Sequence, residues 1–310
     1  MTTQYSIDSP LKIGTRGSPL ALAQAYETRS SLMEAHGLPE AAFTIEVIQT
    51  TGDAVQDRPL SEIGGKGLFT KEIERALLDG RIDIAVHSMK DVATALPEHL
   101  IIDCTLPRED VRDAFISLKY NSISELPKGA VVGTSSLRRR AQLLAMRPDL
   151  KLVEFRGNVQ TRLKKLDDGV AEATFLACAG LRRLGNFKLA NPIETDTMLP
   201  ACAQGAVGIE RRADDQTAAA LLAPIHHPDT FTRITAERAF LKELDGSCRT
   251  PIGGLATLEG DTLHFQGEII RPDGAVIHAG NWQGPASAAA RIGAEAGIEL
   301  RAKGGEGFFA

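Results

Sequence analysis

From about residue 11 to residue 225 the apolar positions switch repeatedly between a two-residue period and a helical one. Leu11-Lys12-Ile13 predicts a short strand, and Ser18-Pro19 then opens a helix rich in Ala and Leu. Ser18 is the expected N-cap, and Pro19 falls at the first helical position, where a missing N–H costs nothing. Phe43 to Ile48 alternates as a half-buried strand does. Phe69, Ile73, Ala76 and Leu77 fall at helical spacing, with Gly80 as the residue that ends the helix. Ile82, Ile84 and Val86 alternate with Asp83 and Ala85, which predicts another strand.

The same order resumes after Arg112-Asp113. Val131-Val132 leads through Gly133-Thr134-Ser135-Ser136 into a helix over Leu137 to Met146. Leu152 to Phe155 leads through Arg156-Gly157-Asn158 into a helix reaching Leu166, and Thr174 to Ala177 reads as a further strand. Repeated strand-then-helix order implies mostly parallel sheets with helices on both faces, an α/β architecture. The last part of the chain differs. A helix over Thr235 to Leu244 precedes strands over Leu263 to Ile270 and Ala275 to His278, joined by the turn Arg271-Pro272-Asp273-Gly274. A closing helix over Ser287 to Leu300, with Ser287 as its cap, completes a small α+β domain. His226-His227-Pro228-Asp229 is the expected linker.

Three strand-to-helix junctions share one chemical feature, which is cations where a helix begins. They are Thr15-Arg16-Gly17-Ser18, Ser136-Leu137-Arg138-Arg139-Arg140, and Arg156-Gly157-Asn158 with Arg162 one turn on. A helix N-terminus carries partial positive charge, so a cation there costs about 0.3–1 kcal/mol and an anion gains as much. An anionic ligand would reverse the sign for all three, and the carboxyl ends of strands in open α/β sheets are where ligands bind. Arginine forks favour planar carboxylates or phosphates. The segment Ile63-Gly64-Gly65-Lys66-Gly67 is no phosphate-binding P-loop, because no Ser or Thr follows the lysine. It reads as a loop from which Lys66 could reach a ligand. Asp91 follows a predicted strand beside Lys90, where a carboxylate can bind a substrate N–H, offset positive charge or move a proton. A capping aspartate is the alternative, and His87 reads as structural. Cys248 stands on a loop between Gly246 and Pro251, beside Arg249, which could favour its thiolate.

Composition narrows the choice. The 310 residues exceed one ordinary core and predict two or three domains. A net charge of −5 and 5% aromatic residues argue against a nucleic-acid partner, so any anion site is a local concentration of arginine. No apolar run spans a bilayer and no secretory signal is visible, which leaves no membrane partner and predicts a cytoplasmic location. Cys104, Cys178, Cys202 and Cys248 form no CxxC pair, so no metal site or disulfide framework is expected.

Taken together, these segments resemble the porphobilinogen deaminase (hydroxymethylbilane synthase) family. The resemblance is carried by Gly14-Thr15-Arg16-Gly17-Ser18-Pro19-Leu20-Ala21, Gly64-Gly65-Lys66-Gly67-Leu68-Phe69, His87-Ser88-Met89-Lys90-Asp91, Gly133-Thr134-Ser135-Ser136-Leu137-Arg138-Arg139, Arg156-Gly157-Asn158, Gln204-Gly205-Ala206-Val207-Gly208-Ile209-Glu210 and the Cys248 loop. It implies two lobes similar to type II periplasmic binding proteins plus a small C-terminal α+β domain. The expected divisions are 1–106 with 204–225, 107–203, and 226–310. It further implies a monomeric transferase of porphyrin and heme biosynthesis, which joins porphobilinogen head to tail into hydroxymethylbilane with loss of ammonia. The chain would grow from a dipyrromethane cofactor in thioether linkage to Cys248. By the same resemblance Asp91 faces the pyrrole nitrogens and stabilises the azafulvene cation formed when ammonia leaves. Arg16, Ser18, Lys90, Ser136, Arg138, Arg139, Arg156, Arg162 and Arg183 would hold carboxylates of cofactor and substrate, with Gln204 near the cofactor. Lys66 and Phe69 belong to the family's mobile loop. Two positions depart from the pattern: Ala203 stands where Gly is frequent, and Ser247 stands where Gly is common before the cysteine. The competing reading is a non-catalytic small-anion-binding protein of the same two-lobed fold, against which Asp91 and Cys248 speak.

Overall fold

The computed structural model describes residues 5–54, 69–246 and 250–309. The chain forms two compact units, Met1–Glu109 with Ala206–Phe231, and Asp110–Gly205 with Thr232–Ala310. Its strands in chain order are β1 Leu11–Thr15, β2 Phe43–Val47, β3 Ile84–Ser88, β4 Leu100–Thr105, β5 Asp113–Ser117, β6 Val131–Gly133, β7 Lys151–Val153, β8 Ala173–Ala177, β9 Asn191–Pro192, β10 Val207–Arg212, β11 Ile252–Glu259, β12 Thr262–Ile270 and β13 Ile277–Pro285.

In the first unit the strand order is β2-β1-β3-β10-β4. β1 runs parallel to β2 and β3, with Ile13 opposite both Ile45 and Ile84. β10 is antiparallel to β3 and to β4, with Ile209 opposite Val86. The expected parallel sheet therefore carries one reversed strand, supplied by a segment more than a hundred residues downstream of β3. Alternation along β3 distributes its side chains to two cores. Ile84 and Val86 join Leu11, Ile13 and Leu32 on one face. Ala85 packs with Ile73, Ala76 and Leu77 of the Lys71–Leu78 helix on the other. The strand is consequently buried on both faces. Phe69 lies in the turn ahead of the Lys71–Leu78 helix, outside its helical stripe.

The second unit repeats the pattern with the order β7-β6-β8-β5-β9. β6 is parallel to β7 and β8, and β5 is the reversed strand, antiparallel to β8 and β9. Phe115 of β5 meets Phe175 of β8 edge to face at 5.8 Å, on the opposite face from Ala114 and Ile116. Each such buried aromatic or branched side chain stabilises the unit by roughly 1.5–3 kcal/mol relative to exposure. These two sheets match the α/β lobes expected from the sequence.

The same unit contains a three-stranded antiparallel meander, β11-β12-β13, covered by the Ala289–Gly304 helix. Phe240, Phe265, Ile292, Ala296 and Leu300 build a core of its own. A Cβ on Gly293 would sit 1.9 Å from the Ala236 carbonyl oxygen, so only glycine lets these two helices approach this closely. Several local readings change here. His226 and His227 do not form an open linker: Pro228 already begins the Pro228–Glu243 helix, and the His227 N–H donates to the Thr105 carbonyl at 2.7 Å. Ser287 lies in a 3-10 turn and Ala288 occupies the helix N-cap position without a side-chain cap. β11 contains Gly253 and Gly254, whose composition hides a strand.

One buried carboxylate ties this meander to the turn before Gln204. Glu237 is fully buried and accepts from the Ala203 N–H at 2.5 Å and the Ala256 N–H at 2.8 Å. Ala203 itself takes the left-handed conformation, φ +60°, which favours glycine. Glu237→Ala strands both amides in the interior, and a loss of about 2–4 kcal/mol is expected from two orphaned donors. Urea denaturation reads it as a lower midpoint at unchanged slope, and an unshifted midpoint would mean that other acceptors serve these amides.

Candidate active site

The first cluster of predicted residues assembles at the carboxyl ends of β1 and β3. Ser18 caps the Pro19–His36 helix, its Oγ accepting from the Ala21 N–H at 3.3 Å. Thr15 is fully buried and donates its hydroxyl to the Ala21 carbonyl at 3.2 Å, so the strand-to-helix junction is fixed from both sides. The Arg16 guanidinium lies 4.1 Å above the centroid of the Phe69 ring, an attraction of about 0.5–2 kcal/mol. This contact joins two residues predicted separately, one as an anion ligand and one as part of a loop.

β3 ends in a 3-10 turn, Met89–Asp91. The turn is anchored by Met89, which is buried and donates its N–H to the Ala206 carbonyl of the neighbouring strand at 3.0 Å. Asp91 is therefore the last residue of a short turn and not a helix cap. It is half-buried and shares an open concavity with Arg16, Ser18, Phe69, His87 and Ser88. Among the described residues no hydrogen-bond or ion-pair partner of its carboxylate is found. Lys90 beside it is half-buried. His87 pairs instead with the buried Glu210, Nε2 to Oε2 at 2.9 Å, which agrees with a structural role. Burial raises the neighbouring Glu74 carboxyl above its ordinary value, against the lowering effect of the Thr70 hydroxyl.

The second cluster lies in the other unit, around Asp113 at the start of β5. Ser136 caps the Leu137–Met146 helix through the Arg139 N–H at 3.4 Å. The guanidiniums of the first turn are not solvated. Arg138 and Arg139 are 4% and 7% exposed, and both turn onto Asp113, which has no exposed surface. Arg139 donates from Nε and Nη2 to Asp113 Oδ1 at 3.1 and 2.6 Å, and Arg138 Nη1 stands 2.7 Å from Oδ2. Burial alone would raise the Asp113 carboxyl, but the two guanidiniums overrule it and hold the group well below the usual carboxylate range. Gln204, also fully buried, donates Nε2 to Asp113 Oδ1 at 3.0 Å and to the Val111 carbonyl at 2.8 Å.

Arg162 completes this group. Asn158 caps its helix through the Thr161 N–H at 2.9 Å, and Gly157 takes φ +122°, open to glycine alone. Arg162 Nη1 and Arg139 Nη1 donate to the same Phe175 carbonyl, at 3.1 and 3.0 Å. Burial, and after it the like charge of Arg139, lower the Arg162 guanidinium to about 10. Two guanidiniums thus share the Asp113 carboxylate, and Arg162 adds a third cation through the Phe175 carbonyl. Arg138 Nε is buried with no hydrogen-bond partner among the described residues. Surplus buried positive charge and an orphaned donor are the signature of a site built for a further anion. Arg183 donates Nη1 to the Gly205 carbonyl at 3.2 Å, and Arg156 stands half-buried at the approach to the Arg162 helix. Lys66, Ser247 and Cys248 lie outside the described residues.

Sequence reasoning found the arginines and missed Asp113, Gln142 and Glu268. Gln142 accepts from Arg138 Nη1 at 2.9 Å and donates to Glu268 Oε1 of β12 at 2.6 Å. Burial raises the Glu268 carboxyl, with Gln142 and Arg138 opposing. Only the one-turn spacing of Arg138 and Gln142 on a helix was visible beforehand.

A family model described as porphobilinogen deaminase, dipyrromethane cofactor binding domain, matches residues 11–220, and one described as the C-terminal domain of the same family matches 231–302. The porphobilinogen deaminase of Paracoccus denitrificans is 64% identical over 310 residues, spanning 100% of this chain and 99% of that protein. That of Nitrobacter winogradskyi is 55% identical, spanning 100% and 98%. Among solved structures, a periplasmic substrate-binding protein of an ABC transporter from Coxiella burnetii aligns with TM-score 0.42 at 14% identity, over 74% of this chain and 96% of that one. A lipoprotein of the YaeC family from Enterococcus faecalis aligns with TM-score 0.40 at 15% identity, over 70% and 91%.

Proposed function

The chain belongs to the porphobilinogen deaminase family, and on that premise we propose a role for each candidate site residue. The protein is a transferase that polymerises porphobilinogen head to tail, with loss of ammonia at each addition, into the linear tetrapyrrole hydroxymethylbilane. Its cofactor is dipyrromethane, which when bound supplies the nucleophilic pyrrole carbon from which the chain grows.

Asp91 accepts a hydrogen bond from a pyrrole N–H and offsets the positive charge that develops as the substrate's C–N bond breaks and ammonia departs. It then takes up the proton displaced when the new C–C bond forms. The observation that carries this role is a half-buried carboxylate, unpartnered among the described residues, in one concavity with Arg16. Arg16, Ser18 and Lys90 bind substrate carboxylates, and Phe69 braces the Arg16 guanidinium. In the second unit Ser136, Arg138, Arg139, Arg156, Arg162 and Arg183 hold acetate and propionate groups, with Gln204 beside them. Surplus charge around Asp113 and the orphaned Arg138 Nε support this assignment. Cys248 carries the thioether, and Lys66 reaches the bound carboxylates from its loop.

Three functional divisions, 1–106 with 204–225, 107–203 and 226–310, fit this scheme, the last supported by the separate core around Phe240 and Phe265. We place the enzyme in the cytoplasm as a monomer. Buried cysteines outside any disulfide, Cys104, Cys178 and Cys202, suit a reducing compartment. No helix among the described residues is long and apolar enough to cross a membrane.

The direct test is the intact mass of the purified protein with peptide mapping around Cys248. An adduct of two linked pyrroles on that residue is expected. An unmodified protein that neither gains the adduct nor releases ammonia on incubation with porphobilinogen would sink the assignment.

A further inference from the structure

Asp113 stands where a site for anionic ligands should least tolerate a carboxylate. It is the first residue of β5, has no exposed surface, and contacts three of the residues assigned to the cofactor. Its Oδ1 takes the Nε and Nη2 edge of Arg139 and the Nε2 of Gln204, while Oδ2 stands against Arg138 Nη1. These three side chains come from two separate segments, the first turn of the Leu137–Met146 helix and the turn after Ala203.

We propose that Asp113 is the positioning residue of the cofactor site, the internal carboxylate that orients Arg138, Arg139 and Gln204 and neutralises part of their charge before a ligand arrives. The inference rests on the functional reading above and goes beyond it, because no ligand contact is assigned to Asp113 itself.

The geometry explains how one carboxylate does this without emptying the site. Two buried guanidiniums at a helix N-terminus repel each other and the helix dipole, and one internal anion offsets that repulsion. Asp113 consumes one edge of Arg139 and one nitrogen of Arg138. Arg138 Nε is left without a hydrogen-bond partner among the described residues, and Arg162 adds a third cation through the shared Phe175 carbonyl. The donors that remain are therefore held rigid, and the cluster keeps a positive surplus. A purely structural ion pair would need one arginine, and a carboxylate competing for the ligand's place would leave no surplus.

The test compares four apo-proteins: wild type, Asp113→Asn, Arg139→Gln and the double variant. Each is incubated with porphobilinogen, and two quantities are read, the rate at which the dipyrromethane adduct appears by intact mass and the rise in Tm on loading. Asp113→Asn is expected to load at least about tenfold more slowly, the size of losing one charge-assisted bond's orientation, and to gain less Tm on loading. In the Arg139→Gln background the same change is expected to cost less, because one of the three groups it positions is gone. Equal loading by Asp113→Asn and wild type, with both apo and loaded Tm lowered alike, would reduce Asp113 to a structural role. Faster loading would make it a competitor of the ligand. Should Asp113→Asn fail to fold alone, the double variant, with the charges of the pair balanced, is compared with Arg139→Gln: slower loading by the double variant supports the proposal, because Arg138 and Gln204 have lost their anchor, and equal rates overturn it. A wild-type chain that acquires no adduct refutes the functional reading instead.

Discussion

Asp91→Ala is expected to abolish turnover, lowering kcat by about a thousandfold or more, while the protein keeps its fold. The magnitude follows from what the carboxylate does. Removing a group that stabilises developing charge in a partly enclosed site costs about 10²–10³ in rate, and removing a proton-transfer group costs about 10²–10⁴. In the proposed role one residue serves both purposes, and the described concavity offers no second carboxylate at the end of β3 to replace it. Stability should hardly change. Asp91 ends a 3-10 turn whose anchor is the buried Met89, and its own side chain holds no described partner that the substitution would orphan. Ammonia release and Tm, measured on the same preparation, separate the two effects. Wild-type turnover would remove Asp91 from the chemistry, and a collapsed Tm would make the loss of activity uninformative about its role. Asp91→Asn refines the reading: it keeps an oxygen for the pyrrole N–H but loses the charge, so it should be nearly as inactive.

How far the sequence reached depended on how local each cause was. Ser18 was legible as a cap because a cap bonds an amide three residues on, and the structure has that bond, as it has the same bond for Ser136 and Asn158 at the other two helix starts. The alternation of β1, β3 and β12 was legible for the same reason. The reversed strand β10 was not, because its neighbours β3 and β4 are set by a pairing that spans more than a hundred residues. β11 stayed hidden because Gly253 and Gly254 read as a loop, yet added Cβ atoms there would press on Glu268 and on Cys202. His226 to Asp229 are expected as a linker, but Pro228 begins a helix, where its missing N–H costs nothing.

The site shows the same division. Cations at three helix starts pointed to anion binding through a purely local rule about the helix dipole. That rule treats the guanidiniums as facing outward. Arg138 and Arg139 turn inward to Asp113, which lies more than twenty residues earlier and carries no local signal of its role. The proposal of an anion still stands, because Asp113 is paired with two guanidiniums, Arg162 adds a third and Arg138 Nε has no partner among the described residues. What changes is its content: the site is already partly charge-compensated, and the ligand meets donors held in place by Asp113 and Gln204.

Cys248→Ser is expected to yield a protein without any covalent pyrrole adduct, at the unmodified mass plus nothing, and with no tetrapyrrole product. A hydroxyl cannot substitute, since the serine oxygen is far less ionised than a thiol near neutral pH and a weaker nucleophile. Nor can another cysteine take over. Cys104, Cys178 and Cys202 are all buried. Burial, then the nearby Asp103, pushes the Cys104 thiol up to about 12, and burial with Asp110 does the same for Cys178. At neutral pH such groups hold almost no thiolate. Fold and carboxylate binding should persist, because the arginine cluster around Asp113 is built from residues remote in sequence from Cys248. The variant incubated with porphobilinogen should therefore show a ligand-induced rise in Tm without any change in mass. An adduct found on another residue would overturn the assignment of Cys248, while loss of both the adduct and the Tm response would mean that the thioether is needed to form the anion site and not merely to tether its occupant.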